Sequence, residues 1–222
     1  MKKFFSHVSS SLLTFFYPSR CPLCEAWSLH HDKVCETCVS SLHPLPAAFT
    51  APILHRVWFQ EARSAVAYEG KLIDAIWNFK YHERFDLLPF FTHLLFKSFP
   101  EKTYDLMLPV PLHQKKLAKR GFNQAGMLVQ SLSARIGVPH DLFLLERRRA
   151  TETQVRKEVK EREENVRDAF AIKLSQKEKL SQKNVLLIDD VITTGATVNE
   201  CAKALIKGGV QSVDVLTIAR PL

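Results

Sequence analysis

The chain has 222 residues, of which 46% are hydrophobic and 24% are charged, and its formal net charge at pH 7 is +8. These fractions are those of an ordinary globular protein, and they exclude a disordered chain, a collagen-like repeat and a coiled coil. No stretch approaches the roughly 18 consecutive apolar residues of a membrane-spanning helix, so we expect no span. Most of the positive surplus lies in residues 101–222, which predicts an anionic partner there, either phosphate groups or nucleic acid.

The N-terminal segment begins with Lys2 and Lys3 and continues with apolar residues, as a secretory signal does. A run of serines interrupts its apolar part, however, and no cleavage site with small residues follows. We therefore interpret residues 1–17 as a short amphipathic helix that covers the segment after it. The expected location is the cytoplasm, because the cysteine pattern described next is typical of a reducing compartment.

A cysteine cluster near the N-terminus predicts a metal site. Four of the five cysteines follow the pattern C-x2-C-x10-C-x2-C: Cys21, Cys24, Cys35 and Cys38. Each C-x2-C pair can place two thiolates on one side of a tetrahedral ion, so together they predict a zinc site. Four thiolates leave no open coordination position, and the Zn²⁺ is therefore expected to be structural. Residues 1–50 are predicted to form this small zinc-binding module with the N-terminal helix, and Cys201 is predicted to pack in the core.

Beyond residue 50, the hydrophobic pattern alternates between strands and helices. Residues 53–68 contain two β-leaning runs with a turn between them, which predicts a hairpin. Apolar residues at helical spacing predict two helices between residues 72 and 95 and a third around residues 122–132. The other predicted elements are strands over 104–110, 142–145, 185–188 and 213–218, a basic loop after residue 113 and a helix over 197–207. This alternation predicts an α/β fold in which helices flank a parallel sheet.

The segment VLLIDDVITTGATV (185–198) has the character of an anion site. Its buried strand ends at Asp189 and Asp190, at the edge where open α/β sheets bind their ligands. The turn after it leads into a helix, whose first N–H groups can donate to a phosphate. That turn consists of Thr193, Thr194, Gly195, Ala196 and Thr197. Two aspartates repel a lone phosphate, but they suit a ligand with hydroxyls beside its phosphate, such as a ribose phosphate, together with a metal ion.

IDDVITTGAT (188–197) resembles the phosphoribosyl pyrophosphate (PRPP) loop of type I phosphoribosyltransferases. The chain from about residue 17 onward is similar to the competence protein F (ComF) family, through CPLC (21–24), PVPLH (109–113) and RGFNQ (120–124). A further match is a set of spaced polar residues: Arg147, Arg149, Thr151, Gln154, Arg162 and Asn165. The sequence departs from the family at Glu83, where glycine is usual, and at Lys157, where an apolar residue is usual.

The resemblance implies a type I phosphoribosyltransferase-like domain over residues 51–222. In that interpretation Asp189 and Asp190 hold the ribose hydroxyls, and residues 193–197 wrap the 5′-phosphate. PRPP would bind with Mg²⁺, and the reaction would transfer its ribosyl group to an acceptor while pyrophosphate leaves.

The resemblance also assigns a pyrophosphate side to the site. Pyrophosphate carries several negative charges, so cationic donors and Mg²⁺ must surround it as it leaves. The loop expected to receive it includes Pro111, Leu112 and His113. Arg120 follows that loop, and Arg147 and Arg149 follow the next strand; these two arginines and the two aspartates are the candidate catalytic residues. His113 has two possible roles, as a phosphate ligand or general acid and as an ordinary loop residue.

Two regions are expected to complete the site. Residues 146–168 are nearly all polar, which is compatible with a flexible loop that closes over the ligand or with a solvated helix carrying ion pairs. Residues 51–85 would form a hood for the acceptor. The aromatic candidates for stacking in the hood are Tyr68, Trp77, Phe79 and Tyr81, with core packing preferred for Trp77 and Phe79.

Two functions are consistent with these observations. The first is Mg²⁺-dependent phosphoribosyl transfer from PRPP to an unknown acceptor. The second is a non-catalytic module that binds PRPP and single-stranded DNA, because ComF-family proteins are associated with DNA uptake during natural competence. Other DNA-uptake proteins are then candidate partners, and a dimer is compatible with either function.

Overall fold

The computed structural model describes residues 19–28, 34–46, 56–149, 166–173 and 180–222. The predicted N-terminal helix over residues 1–17 lies outside the described residues, as do residues 150–165 of the polar segment. The described strands are β1 (Ser19–Arg20), β2 (Trp27–Ser28), β3 (Glu61–Ala67), β4 (Leu106–Pro109), β5 (Leu145–Arg147), β6 (Phe170–Ile172), β7 (Asn184–Val191) and β8 (Ser212–Arg220). The described helices are α1 (Glu36–Ser40), α2 (Lys71–Tyr81), α3 (Leu88–Lys97), α4 (Gln114–Arg120), α5 (Gln124–Ile136) and α6 (Ala196–Lys207).

The central sheet has four parallel strands in the order β3-β8-β7-β4. Leu187 of β7 is paired with Leu108 of β4 and with Val215 of β8, so β7 lies in the interior of the sheet. Its side chains from Val185 to Ile188 are all buried, as the continuous apolar run predicts for a strand covered on both faces. The α/β fold class is therefore confirmed.

Helices cover both faces of the sheet. On one face, α6 and the two-stranded ribbon β5-β6 pack over a core that includes Val185 and Leu187. On the other face, α2, α3 and α5 pack over a core that includes Leu186 and Ile188. Because successive strand residues point to opposite faces, each face of β7 buries every second side chain. This alternation also separates the two aspartates that end the strand.

The hairpin predicted over residues 53–68 is wrong. Within the described residues 56–68 there is one strand, β3, and it pairs in parallel with β8 at the far end of the chain. Residues 56 and 58 are held instead by Asn199 of α6, whose Nδ2 donates to the Arg56 carbonyl (2.8 Å) and whose Oδ1 accepts from the Trp58 N–H (2.7 Å). The pairing partner of β3 is distant in sequence, so local alternation alone did not identify it.

The basic stretch after PVPLH is also not a loop, because residues 114–120 form helix α4. Its N-cap is His113, whose Nδ1 accepts from the Lys115 N–H (3.2 Å). It ends at Gly121, whose φ of 82° lies in the left-handed region that glycine adopts without strain.

The cysteine-rich segment lies beside the first strand of the domain. Strands β1 and β2 form a small antiparallel pair, and α1 follows. The Ala67 N–H donates to the His43 carbonyl (2.9 Å), and the Leu45 N–H donates to the Ala65 carbonyl (3.1 Å). These backbone bonds attach residues 43–45 to the edge strand β3.

Candidate functional site

Asp189 and Asp190 lie near the carboxyl end of β7, where the ligand site of a parallel sheet is expected. They point to opposite faces of the sheet, since they are consecutive strand residues. Each carboxylate accepts a hydrogen bond from the next backbone N–H: Asp189 from Asp190 (2.9 Å) and Asp190 from Val191 (2.7 Å). The two acids therefore have different surroundings and cannot be treated as one carboxylate pair.

Asp190 is buried, with 3% of its surface exposed, and forms an ion pair with Lys80. The Lys80 Nζ lies 2.9 Å from the Asp190 Oδ2. Burial lowers the pKa of Lys80, but the charge of Asp190, its hydrogen bond and the charge of Asp189 together outweigh burial, so the pKa is raised overall. This carboxylate thus faces a fixed cation on the face covered by α2.

Asp189 is half-buried on the opposite face, on the side of α6. Burial and the neighbouring charge of Asp190 raise the pKa of Asp189 above its ordinary value, and the positive charges of Lys80 and Arg147 partly counteract this. A negative charge at Asp189 is therefore costly in the free protein. A cation or hydroxyl donors from a ligand would relieve that cost, and a carboxylate is the kind of ligand that Mg²⁺ prefers.

The turn after β7 has the backbone shape that a phosphate loop needs. Gly195 is the N-cap of α6 and has φ 81°, in the left-handed region. The Thr194 hydroxyl accepts from the Ala196 N–H (3.4 Å), while Thr193 is exposed and Thr197 is half-buried. Hydroxyls and the first N–H groups of a 12-residue helix therefore meet at this turn.

The segment PVPLH continues from β4, the neighbour of β7 in the sheet. The Val110 N–H donates to the Ile188 carbonyl (2.9 Å), and His113 is bridged to Arg147 of β5 through its backbone. Leu112 and His113 line a groove of about 550 Å³, together with Arg147. Residues 109–113, Arg147 and the end of β7 are therefore gathered at one edge of the sheet, as the sequence predicts.

RGFNQ (120–124) joins α4 to α5. The side chain of Asn123 caps α5 by accepting from the Ala125 N–H (3.1 Å) and donates to the Val110 carbonyl (3.1 Å). Arg120 donates to the Gln124 side chain. The motif thus fixes the start of α5 against the loop at residues 109–113.

Cations converge beside the acids. Lys116 and Arg120 are half-buried, whereas Lys115 and Lys119 on the same helix are exposed. Burial lowers the pKa of Lys116, and the positive charges of Arg147, Arg120 and Lys80 lower it further. The cation cluster (Lys80, Lys116, Arg120 and Arg147) is therefore close enough for mutual repulsion, which a polyanionic ligand would relieve.

Burial also lowers the pKa of Arg147, while the charge of Asp189 acts in the opposite direction. The charge of Arg147 therefore interacts with both Asp189 and Lys116. Arg149 is exposed, and its Nη2 donates to the Arg167 carbonyl (2.8 Å), so it connects the two described ends of the polar segment. The lid and helix interpretations of residues 150–165 lie outside the described residues.

Sequence reasoning missed Lys80 as a site residue. The available signal was its place four residues after Ile76, which continues the buried stripe of α2 and implies an acidic partner for a lysine. The prediction that Trp77 packs in the core is wrong, because its side chain is exposed, whereas the same prediction for Phe79 is confirmed. At Glu83 φ is 53°, so the backbone there favours glycine, and the glutamate of this chain has no structural explanation.

The four N-terminal thiols form a site that fits zinc. Their Sγ atoms all lie within 4.8 Å of one another. Cys24 and Cys35 are 3.7 Å apart, close to the edge of about 3.8 Å of a tetrahedron with metal–sulfur bonds of about 2.3 Å. The Cys35 N–H donates to the Cys21 Sγ (3.3 Å), as expected for a zinc-bound thiolate. Cys201 is buried in the core, as predicted.

A membrane-spanning helix is not found in the described part of the chain, because none of its helices is both long enough and apolar enough.

Comparisons with known proteins identify two segments. Residues 117–221 match the phosphoribosyl transferase domain, and residues 12–49 match the double zinc ribbon domain. Competence protein F of Haemophilus influenzae is 39% identical over 119 residues, which cover 54% of this chain and 52% of that protein. The DNA utilization protein YhgH of Escherichia coli is 29% identical over 209 residues, which cover 91% of this chain and 84% of that protein.

Among solved structures, adenine phosphoribosyltransferase from Thermoanaerobacter pseudethanolicus matches with 21% identity and a TM-score of 0.38, covering 64% of this chain and 83% of the other. Residues 12–49 contain four cysteines, enough for one four-thiolate site. A match to the phosphoribosyl transferase domain that follows a match to the double zinc ribbon domain, together with relatives named for competence and DNA utilization, is consistent with the ComF family that the motifs indicate.

Proposed function

We propose that this protein binds PRPP with Mg²⁺ at the carboxyl end of β7 and transfers its ribosyl group to an acceptor. The observation that carries the proposal is the convergence of three features at one edge of the sheet. These are the Gly195 turn at the start of α6, the half-buried Asp189, and the cation cluster. A phosphate, ribose hydroxyls and pyrophosphate are the chemical groups that these three features would bind.

Each part of the site has a task in this mechanism. The N–H groups and hydroxyls of residues 193–197 would hold the 5′-phosphate, and Asp189 would accept from the ribose hydroxyls. As the bond from the ribose to pyrophosphate breaks, positive charge develops on the sugar and negative charge on the leaving group. Lys116, Arg120 and Arg147 would face that negative charge, and charge arranged in advance of the reaction lowers the barrier.

Mg²⁺ would bind beside Asp189 with the pyrophosphate and supply further charge neutralisation. Asp190, in contrast, would be a positioning residue, because its ion pair with Lys80 holds the lysine amine at the end of β7. His113 caps α4 through Nδ1, so only its Nε2 would be available to a phosphate, and the Nδ1 would not serve as an acid.

The test is calorimetric titration of the zinc-loaded protein with PRPP and Mg²⁺. Asp189→Asn should reduce the affinity at least about tenfold, since it removes a charged acceptor of the ribose hydroxyls. The Asp189→Asn variant should keep its fold. The raised pKa of Asp189 means that the ionised carboxylate destabilises the folded protein, so stability falls as the pH rises toward that pKa. The asparagine amide stays neutral and does not carry this cost. The matched control is Asp105→Asn, whose carboxylate accepts from Asn184 at the opposite end of β7.

An unchanged PRPP affinity in Asp189→Asn would contradict the proposal. Release of pyrophosphate should then be measured with a pool of nucleobases and with single-stranded DNA. Turnover with an acceptor would support the transferase. Tight PRPP binding without turnover in any pool would leave binding in place and reject catalysis.

A further inference from the structure

A groove of about 830 Å³ lies between the zinc-binding segment and helix α3, and it shares no described lining residue with the phosphate site. We call it the α3 groove. Its apolar lining comes from three parts of the chain: Val39 and Leu42 from the zinc-binding segment, Val66 from the edge strand β3, and Phe90 and Leu94 from α3. Val39 is 49% exposed, so this apolar lining is open to solvent. An open apolar groove of this size marks a binding surface.

Helix α3 presents two different faces. One face packs in the domain core and includes Leu95. The other lines the α3 groove with the i, i+3, i+4, i+7 spacing of one side of a helix: Phe90, His93, Leu94 and Lys97. Apolar and basic side chains therefore alternate along the groove.

Three basic side chains border the α3 groove: His93, Lys97 and Arg135. The Arg135 guanidinium, in the last turn of α5, lies over the Phe96 ring at 3.9 Å from its centroid, which holds it beside α3. Burial lowers the pKa of His93, and the positive charges of Arg135 and Lys97 lower it further, so the three groups are close enough to repel one another. No aspartate or glutamate is among the described residues that line the groove.

The ligand complementary to this surface has an apolar side bordered by negative charge. His93 and Lys97 are four residues apart, one turn of helix, which is also the spacing of carboxylates at positions i and i+4 of a facing helix. Apolar residues on the same side of that helix would enter the groove, as in other helix-in-groove complexes. Residues 1–17 of this chain contain no aspartate or glutamate, so charge complementarity does not favour them as the occupant.

We propose that the α3 groove docks an acidic amphipathic helix of a partner protein. The apolar face of that helix packs on Val39, Leu42 and Leu94, and its carboxylates pair with Lys97 and Arg135. The open lining favours a helix over a small amphiphile, because a site for a small molecule encloses most of its ligand. The proposal does not rest on PRPP binding, since its residues lie outside the phosphate site.

The experiment measures binding of two labelled peptides to the full-length, zinc-loaded protein by fluorescence anisotropy. Both have about 18 residues, long enough to form a helix, and the same leucine face. One carries glutamates beside that face, and the other carries lysines. The parent protein should bind the acidic peptide at least about tenfold more tightly. The charge reversal Lys97→Glu/Arg135→Glu should invert this preference, so that the lysine peptide binds more tightly.

Two further variants separate charge from apolar contact. The matched control Lys115→Glu/Lys119→Glu makes the same change in net charge at two exposed residues of α4 outside the groove, and it should leave the preference for the acidic peptide in place. Val39→Asn should weaken the binding of both peptides, because it removes an apolar contact that they share. Thermal melting and zinc content verify that each variant keeps its fold and its metal.

Several results would overturn the proposal. These are binding of neither peptide by the parent, equal affinity for the two, equal binding of an acidic peptide whose leucines are scrambled off one face, and an unchanged preference in the charge-reversed variant. Binding of phosphatidylglycerol vesicles in place of the acidic peptide, lost on charge reversal, would assign the groove to a membrane surface. A lower molecular mass of the charge-reversed variant by light scattering would assign it to self-association. PRPP affinity, measured in parallel, should be the same in all these variants and reports separately on the phosphate site.

Discussion

At the residue scale, the two consecutive aspartates show how strand geometry gives neighbouring side chains different tasks. Asp190 points to the face covered by α2 and is paired with Lys80, whereas Asp189 points to the face of α6 near Arg147. The two residues are chemically the same, but Asp190 is paired with the cation of Lys80, whereas a negative charge at Asp189 is energetically unfavourable. This difference is the reason why we propose Asp189 as the acid that receives the ligand.

The Lys80–Asp190 pair should be strongly coupled in unfolding. Replacing one member leaves the other charged and largely buried, which costs roughly 2–4 kcal/mol, below the value for a fully buried pair because the Lys80 side chain stays 21% exposed. Urea unfolding of Lys80→Gln, Asp190→Asn and the double variant should give a coupling free energy above about 1 kcal/mol.

A surface pair supplies the control for that cycle. Arg148 and Glu146 form an ion pair with a 2.7 Å contact, but the Arg148 side chain is 59% exposed. Arg148→Gln should change the free energy of unfolding by less than about 1 kcal/mol. Additive single effects at Lys80 and Asp190 would show that the ion pair is absent in solution.

At the element scale, the turn between β7 and α6 depends on one backbone conformation. Gly195→Ala should cost about 1–2 kcal/mol, because an L-residue at φ 81° is strained, and should weaken PRPP binding as the turn adjusts. The matched control is Gly137→Ala at the end of α5, where φ is 86° and no atom lies within 4 Å of an added Cβ. Both variants should lose similar stability in urea, but only Gly195→Ala should lose PRPP affinity by calorimetry. If Gly195→Ala and Gly137→Ala bound PRPP with equal affinity, the turn at Gly195 would not be part of the PRPP site.

Elements with strong local signals were predictable from the sequence. The buried run at 185–188 and the glycine turn after it combine continuous apolar residues with turn chemistry, so β7 and α6 lie where the pattern places them. The parallel pairing of β3 was not predictable, because its partner β8 lies about 150 residues away. Helix α4 was also missed, since its basic residues present no buried stripe and its cap is a histidine.

Within the site, motif residues could be placed from the sequence, but their partners could not. Gly195, residues 109–113 and Arg147 are gathered as expected. Lys80 and the exposure of Trp77 depend on how α2 packs against the sheet, which sequence periodicity does not resolve when a helix is apolar on two sides.

At the scale of the whole molecule, the zinc-binding segment contacts the same helix that carries Lys80. The Lys71 Nζ lies 4.0 Å from the Cys38 Sγ at the start of α2. Just after its end, the Arg84 Nη2 donates to the Pro22 carbonyl (3.2 Å). A lysine beside a thiolate offsets part of the negative charge of a four-thiolate zinc site. The metal site therefore supports both ends of α2 from outside the domain core.

Removal of zinc should consequently affect more than the cysteine-rich segment. We expect about one zinc per chain, and chelation should lower the thermal midpoint by several degrees and open residues near 21–45 to protease, because little apolar packing remains there without the metal. Cys38→Ser should lose the zinc, whereas Cys201→Ala, on the buried face of α6, should keep it. Elemental analysis, melting curves and limited proteolysis measure these effects. A metal-free protein with the midpoint and cleavage pattern of the loaded one would show that the four thiols do not stabilise the fold through zinc.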